Sequence, residues 1–386
     1  MTVFAIPRYM DVQKIHCYHL RIPLRLTFGQ ANQSTRSSDS IVLHLETTQG
    51  EIGYGECGPR TYVSGENALR VRKTLAQLAD LIYSQHFAKV SDIQGFVLGL
   101  LDEGYGPAAV CALELALLDA WGKVHQQSLW KAFGVNDRNV MPYSGIVPYG
   151  KWEKLEPLLK RFRFRQWKFK ARTDWHFNAQ RIEQLRSLPG MNSAVDSPDG
   201  HPAIRLDANG AWSLAQAQHN IEQALAQEVN SFEQAVAVEQ EAAARSLTAT
   251  YGQQARMIAD EALVTLQDAQ RIIAHKSYNH FNLKLSKNGG IFNALRIANL
   301  AHQHGIPCQL GAQYGETSLL SAAGVLFADM LPELTAREGA LGTYLLQDDL
   351  TATPLMVDKY GKLPKPPTGY GLGVEVDELR LKQYSV

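Results

Sequence analysis

The chain has 386 residues, 45% hydrophobic and 20% charged, with Lys+Arg and Asp+Glu matched at 38 each. These are globular proportions with room for one large or two ordinary domains, and the balanced charge gives no overall field to attract nucleic acid or an anionic membrane. The start, MTVFAIPRYMDVQK, lacks the basic opening and long apolar centre of a signal peptide, and no apolar run approaches bilayer-spanning length, so the expectation is a cytoplasmic protein with no membrane contact.

Taken in chain order, the first third reads as antiparallel strands followed by helices. Ile41, Leu43 and Leu45 alternate with Val42, His44 and Glu46, and TTQG then turns the chain into EIGYGE, which predicts a hairpin. Asn32-Gln33-Ser34 fits a glycosylation acceptor, a tripeptide common by chance. Gly53, Gly55 and Gly58 spell GxGxxG, yet a dinucleotide fingerprint needs a strand running directly into a helix, and here a hairpin precedes and PRTYVSG follows. AAVCALELALLDAWG (108–122) predicts a strong helix ending at a glycine. Cys17, Cys57, Cys111 and Cys308 form neither a CxxC pair nor a disulfide framework, which suits reduced thiols.

After MPYSG the pattern changes. Leu155, Leu158, Leu159 and Phe162 mark an amphipathic helix, followed by short strand candidates at WKFK, AIRLD, NSFE, MIAD, FNLK and PCQLG, with helical stretches such as LAQAQHNIEQALA between them. Strands and helices in alternation predict βα units and a closed (β/α)8-type barrel, with an open doubly wound sheet as the alternative. RFRFRQWKFKAR (161–172) packs six cations and four aromatics into twelve residues, as a nucleic-acid stripe would. Half of it reads as an internal strand, however, which leaves the first half as a helix end with Arg161, Arg163 and Arg165 in solvent. His302 and His304, ahead of Gly305, fit a helix C-terminus better than a metal site.

The strand ends carry the chemistry. Lys168 and Lys170 end one; Asp207 and Asn209, Glu233, Asp260 and Glu261, and Lys284 end the next four, at steps of 26, 27 and 24 residues from Asp207. Each step is about one βα unit, so these groups recur on the face where barrel active sites are built. Any one such carboxylate is more often a helix cap or an ion-pair partner; five strand-end sites in order are not. Three carboxylates without His or Cys make a hard-oxygen site suited to Mg2+ or Mn2+. Lys168 and Lys170, two apart on a strand, both point into the barrel, and Lys284 arrives from the opposite side. A metal between opposed lysines suits removal of a proton α to a carboxylate, with the metal on the ene-diolate oxygens and neighbouring cations lowering the pKa of Lys170.

KFK, LDANGAW, FEQ, ADE and LKLSKNGG resemble the strand-end motifs of the enolase superfamily in its muconate-lactonising-enzyme subgroup, and the resemblance covers most of the chain. It implies an α+β capping domain over residues 1–140, a barrel over 141–350, and a tail from 351 to 386 that returns to the cap. It also implies Asp207, Glu233 and Asp260 as Mg2+ ligands, Asn209 and Glu261 beside them, and Lys170 and Lys284 as acid/base pair with Lys168 assisting. The family's capping loops match segments holding Arg25, Phe28, Arg60 and Tyr62, and the seventh and eighth strand ends match Glu316 and Glu338, all candidate substrate contacts. Where dipeptide epimerases of the group carry an Asp-x-Asp pair for a substrate ammonium, this chain has Ala336 and Glu338, which turns the expectation toward an acylated amino acid or another small carboxylate. The expected protein is a homo-oligomeric racemase or epimerase. Cycloisomerisation and syn-dehydration with the same lysines stay open, as do a catalytically silent relative and a nucleic-acid binder.

Overall fold

The computed structural model describes residues 9–30, 33–136, 141–148, 150–188, 203–331 and 333–386, with side chains of 26–35 outside the description. The expected hairpin pairs Ser40–Thr47 with Ile52–Cys57, Ile41 opposite Cys57, and Met10–Leu20 and the short His86–Phe87 extend it to a four-stranded antiparallel sheet. Both faces are covered: Val42 is fully buried and His44 nearly so, against Tyr18 and Tyr54, whose hydroxyl reaches Glu378 of the C-terminal helix Glu378–Gln383. No described helix is long and apolar enough to cross a membrane.

Pro107–Val124 is buried around almost its whole circumference because it lies at the centre of this cap. The strand Ile52–Cys57 packs against it through glycines: a Cβ on Gly53 would stand 2.2 Å from Ala116 O, and one on Gly55 2.0 Å from Ala112 O. The GxGxxG spelling thus records close strand–helix packing. Asp119, on the same helix, accepts from Tyr54 N, Leu372 N and Lys123 Nζ, fixing helix, sheet and tail to one buried carboxylate. Further tail contacts, such as Val386 N to His19 O at 2.9 Å, bring the chain end back to the cap.

The second layer is a parallel sheet of seven strands in sequence order: Gly145–Val147, Gln166–Lys170, Ala203–Asp207, Ser231–Glu233, Arg256–Ala259, His280–Leu283 and Cys308–Leu310. The segment 335–338 takes the eighth position: Leu310 N donates to Ala336 O and Glu338 N to Leu310 O on one side, while Ser144 N donates to Arg337 O on the other, closing the ring. The expected helix before the second strand, Trp152–Leu159, stops earlier than its apolar spacing suggested. Arg161–Arg165 is a connecting segment in which Phe162 and Phe164 stack at 4.9 Å and bury, while Arg161 and Arg165 are exposed and Arg163 bonds Lys160 O and Phe162 O.

Two capping-domain carboxylates lock cap to barrel by capping barrel helices. Glu56 accepts from Thr317 and Leu320 at the start of Ser318–Met330, and Glu114 accepts from Ile291 and Phe292 at the start of Ile291–Gln303. Burial pushes Glu114 up to about 8, the two N–H donors offsetting only part of it. Unfolded chain ionises this carboxyl near 4.5, so between those values the native state keeps a proton that the unfolded state has released, and stability falls as pH rises across the span. Glu114→Gln, unable to ionise, is expected to gain in melting temperature relative to wild type from the acid to the alkaline end of that span in calorimetry. A difference that stays constant with pH would contradict this.

Candidate active site

The strand register sets the site. Lys170 lies level with Asp207, and Asp207 level with Glu233, across adjacent strands. Asp260 follows Arg256–Ala259 and is aimed by Gln234, whose Oε1 accepts from both Asp260 N and Ala262 N at 3.1 Å. Carboxylate oxygens of Asp207, Glu233 and Asp260, all buried, lie within 4.8 Å of one another and form a metal site. The three groups offer hard carboxylate oxygens close enough to share one cation, so the residues fit a hard divalent ion.

Lysines bracket the triad. Lys170 Nζ is 2.5 Å from Asp207 Oδ2, and Lys284 Nζ is 2.6 Å from Asp260 Oδ2 on the other side. Lys168 Nζ is 2.8 Å from Glu338 Oε2 and 3.1 Å from Glu233 Oε1. Asn209 N donates to Asp207 Oδ1 and its Nδ2 to Glu261 Oε1, so the two flanking residues join each other beside the ligands.

Charge and burial pull against one another here. Burial favours the neutral acids, yet Lys170 and Lys168 hold Asp207 below the ordinary carboxylate range, and Lys284 and Lys287 hold Asp260 well below it. Glu233 is raised by burial, which Lys168 only partly counters. Glu261 is pushed up to about 7 by burial and then by Asp260. Among the protein's own groups, burial lowers Lys170, but Asp207 and Glu233 outweigh burial and raise it, while the ammonium of Lys168 faces Glu233 and Glu338. Lys284 is raised well above its ordinary value by Asp260, Glu233 and Glu261 against the same burial.

Above the lysines opens a cavity of about 400 Å3. Its lining includes Tyr62 and Val63 of the cap, the apolar Ile146, Leu341 and Leu345, and the acidic Glu316 and Asp39. Of the expected substrate contacts, Tyr62, Glu316 and Glu338 line this space, Glu316 with a carboxyl pushed up to about 8 by burial. The arginines are turned elsewhere. Arg60 donates to Asp39 O, Pro59 O and Tyr314 O with its guanidinium 4.1 Å above the Tyr314 ring, and Arg25 donates to Thr343 O and Leu346 O. Both fasten capping loops to the barrel. The Phe28 side chain and Asn32 lie outside the described residues.

Two basic groups escaped the sequence reading. Lys287 is almost fully buried and donates to Asp260 Oδ1, Asp260 O and Asn282 O. Its only signal was its place three residues after Lys284, indistinguishable from a solvated lysine. Arg205 pairs with Glu233 and Glu338 and bonds Gln309 Oε1 inside the barrel. Strand alternation from Asp207 would have pointed it inward, had an inward arginine been entertained.

Residues 153–380 match the family described as enolase C-terminal domain-like, and residues 13–134 match the mandelate racemase / muconate lactonizing enzyme N-terminal domain. An N-succinyl-L-Arg/Lys racemase of Bacillus cereus is 27% identical over 387 residues, covering 98% of each chain, and the crystal structure of N-succinyl Arg/Lys racemase from that species superposes with a TM-score of 0.83 over 98% of both chains at 26% identity. A chloromuconate cycloisomerase of Cupriavidus necator is 27% identical over 95% of each chain. A dipeptide epimerase of Enterococcus faecalis, in a crystal structure with Mg and the dipeptide L-Leu-L-Tyr, shares the fold with a TM-score of 0.81 at 24% identity, covering 95% of this chain and 100% of that one.

Proposed function

This chain belongs to the mandelate racemase / muconate lactonizing enzyme family of the enolase superfamily and is an isomerase, and from that premise we propose that it is a Mg2+-dependent racemase or epimerase of an N-acylated amino acid. The observation that carries this reading is the opposition of Lys170 and Lys284, each bonded to a different metal-site carboxylate. One lysine takes the α-proton from one face of the substrate carbon; the other returns a proton to the opposite face, and the roles exchange in the reverse direction.

A dication held by Asp207, Glu233 and Asp260 would supply positive charge at the substrate carboxylate, where negative charge gathers as the α-C–H ionises. The side chains arrange for a free base. Lys168, Lys170, Lys284, Lys287 and Arg205 face Asp207, Glu233, Asp260, Glu261 and Glu338, five basic groups against five acidic ones, of which Glu261 is pushed up to about 7 by burial and then by Asp260. A dication and a substrate carboxylate together add one positive charge, and loss of a proton from Lys170 or Lys284 restores the balance. Lys168, already buried and fixed by two carboxylates, is placed to donate toward a substrate carboxylate oxygen.

Glu338 supports an acylated nitrogen. Its two oxygens are held by Lys168 and Arg205, which leaves no free carboxylate at that position for a substrate ammonium. The racemase relative, matching across 98% of both chains, is named for N-succinyl substrates. Cycloisomerisation is the second reading, favoured by the 95% coverage of the chloromuconate cycloisomerase.

The test is α-deuterium incorporation from D2O into a panel of N-acyl amino acids and dipeptides with Mg2+, followed by proton NMR. Exchange is expected for N-acyl amino acids, to stop with EDTA and to return with added Mg2+. Failure of every N-acyl amino acid to exchange would reject the racemase reading, and turnover of muconates alone would replace it with cycloisomerisation.

A further inference from the structure

Lys284 reaches Asp260 along a lane left open by a missing side chain on the neighbouring strand. Gly311 follows Cys308–Leu310, and its N–H donates to Leu283 O at 2.7 Å, fixing it beside the residue that precedes Lys284. A Cβ at position 311 would stand 2.9 Å from Lys284 Cε, 2.4 Å from Asn282 Oδ1 and 2.8 Å from Asn282 Nδ2. Real Cβ atoms do not approach that closely, so the lysine stem and the amide would both have to move. Gly311 is not among the glycines with positive φ, so the backbone itself would accept alanine. What the glycine supplies is room.

We propose that Gly311 is a positioning residue that sets the aim of Lys284 and leaves Lys170 untouched. The inference rests on the reading of Lys284 as one of two proton-transfer bases. Lys170 belongs to the second barrel strand and is held by Asp207, and neither is among the atoms that a Cβ at 311 would meet most closely. Both anchors of the crowded side chains belong to the metal site: Lys284 Nζ bonds Asp260 Oδ2 at 2.6 Å, and Asn282 Nδ2 bonds Glu233 Oε1 at 3.2 Å. A displaced Asn282 would disturb the metal site, which serves both faces of the substrate. A displaced Lys284 would disturb one face alone. The two effects therefore separate by symmetry.

Three variants make the test: Gly311→Ala, Asn282→Ala, and the double variant, in which the amide contact is gone and only the contact with Lys284 Cε remains. Deuterium incorporation is measured from each enantiomer of an active substrate. In Gly311→Ala and in the double variant, exchange of the enantiomer whose α-proton faces Lys284 is expected to fall roughly a hundredfold, as a displacement of about 1 Å can cause, while the other enantiomer exchanges at the rate set by Asn282→Ala or wild type. Asn282→Ala is expected to affect both enantiomers alike. A second readout needs no substrate: acetylation footprinting by mass spectrometry, in which Lys284, whose side chain is 10% exposed in the wild type, should label faster relative to Lys170 in the alanine-311 variants. Equal loss for both enantiomers, or an unchanged Lys284 to Lys170 labelling ratio, overturns the proposal. If wild type exchanges no substrate, the functional reading fails and the footprint alone decides whether Gly311 places Lys284.

Discussion

On the proposed two-base reading, Lys170→Ala is expected to abolish racemisation in both directions while leaving α-proton exchange from one enantiomer. Net inversion needs a base on one face and an acid on the other, so removal of either lysine stops it. Proton removal needs only the lysine on the side of the proton, and Lys284 with its Asp260 partner lies across the triad from Lys170. Loss of a positioned general base lowers turnover by about 10² to 10⁴-fold, so exchange from the enantiomer facing position 170 should fall by that amount and exchange from its mirror image should persist. Lys284→Ala should give the opposite pattern. Lys170→Arg should be as inactive as Lys170→Ala, because a guanidinium keeps the charge beside Asp207 but does not release its proton near neutral pH. The measurement is deuterium incorporation into each pure enantiomer by proton NMR, with enantiomer ratio followed in parallel. If Lys170→Ala still racemises, or both variants silence the same enantiomer, the two-base assignment is wrong.

This asymmetry could be anticipated from the sequence because the relevant residues obey strand arithmetic. KxK alternation points Lys168 and Lys170 inward, and the recurrence of acids at βα spacing places Asp207, Glu233 and Asp260 around one ring; the register Lys170–Asp207–Glu233 realises both. The barrel itself was legible for the same reason, except where strands are too short to alternate. Gly145–Val147 has three residues and went unnoticed, and the eighth position is held by four backbone hydrogen bonds and one bridge instead of a strand. Phe162 looked like the next turn of a helix because its spacing fits, yet the helix ends at Leu159 and Phe162 buries by stacking on Phe164.

Side-chain partnerships across long sequence separations were not legible. Arg60 looked like a substrate contact, but its donors go to the carbonyls of Asp39, Pro59 and Tyr314, and no local pattern announces such bonds. Glu338 looked like a substrate contact, and its oxygens meet Lys168 and Arg205, which are 170 and 133 residues away. Asp207, 2.5 Å from Lys170, joins Glu233 in outweighing burial there, and no local pattern announces that balance among the protein's own groups. Gly311 shows the same limit from the other side, since a residue with no side chain leaves no chemical signature, and its role exists only in what a Cβ would touch.

Asp260→Asn should have the largest effect on stability, because one carboxylate compensates two buried ammonium groups. Lys284 Nζ lies 2.6 Å from Oδ2, Lys287 Nζ 3.0 Å from Oδ1, and both lysines are more than nine-tenths buried. Asparagine keeps the shape but removes the charge, and breaking a buried ion pair costs about 3–5 kcal/mol because the partner charge stays buried without compensation. An exposed pair such as Arg296 with Asp102 is worth about 0–1 kcal/mol, so Asp102→Asn is the matched control. The pH dependence has a definite sign. Asp260 is held well below 3.8 in the folded chain by Lys284 and Lys287 against its burial, so its contribution is complete above 3.8 and is lost as pH falls through the folded value. The stability gap between wild type and Asp260→Asn should therefore be widest near neutral pH and narrow on acidification, as read from urea midpoints at constant ionic strength. Calorimetric titration should show Mg2+ binding in wild type and none in the variant at the same concentrations. An Asp260→Asn protein that unfolds at the wild-type midpoint would mean that the two lysines lose their protons at no net cost, and one that still binds Mg2+ with wild-type affinity would remove Asp260 from the metal site.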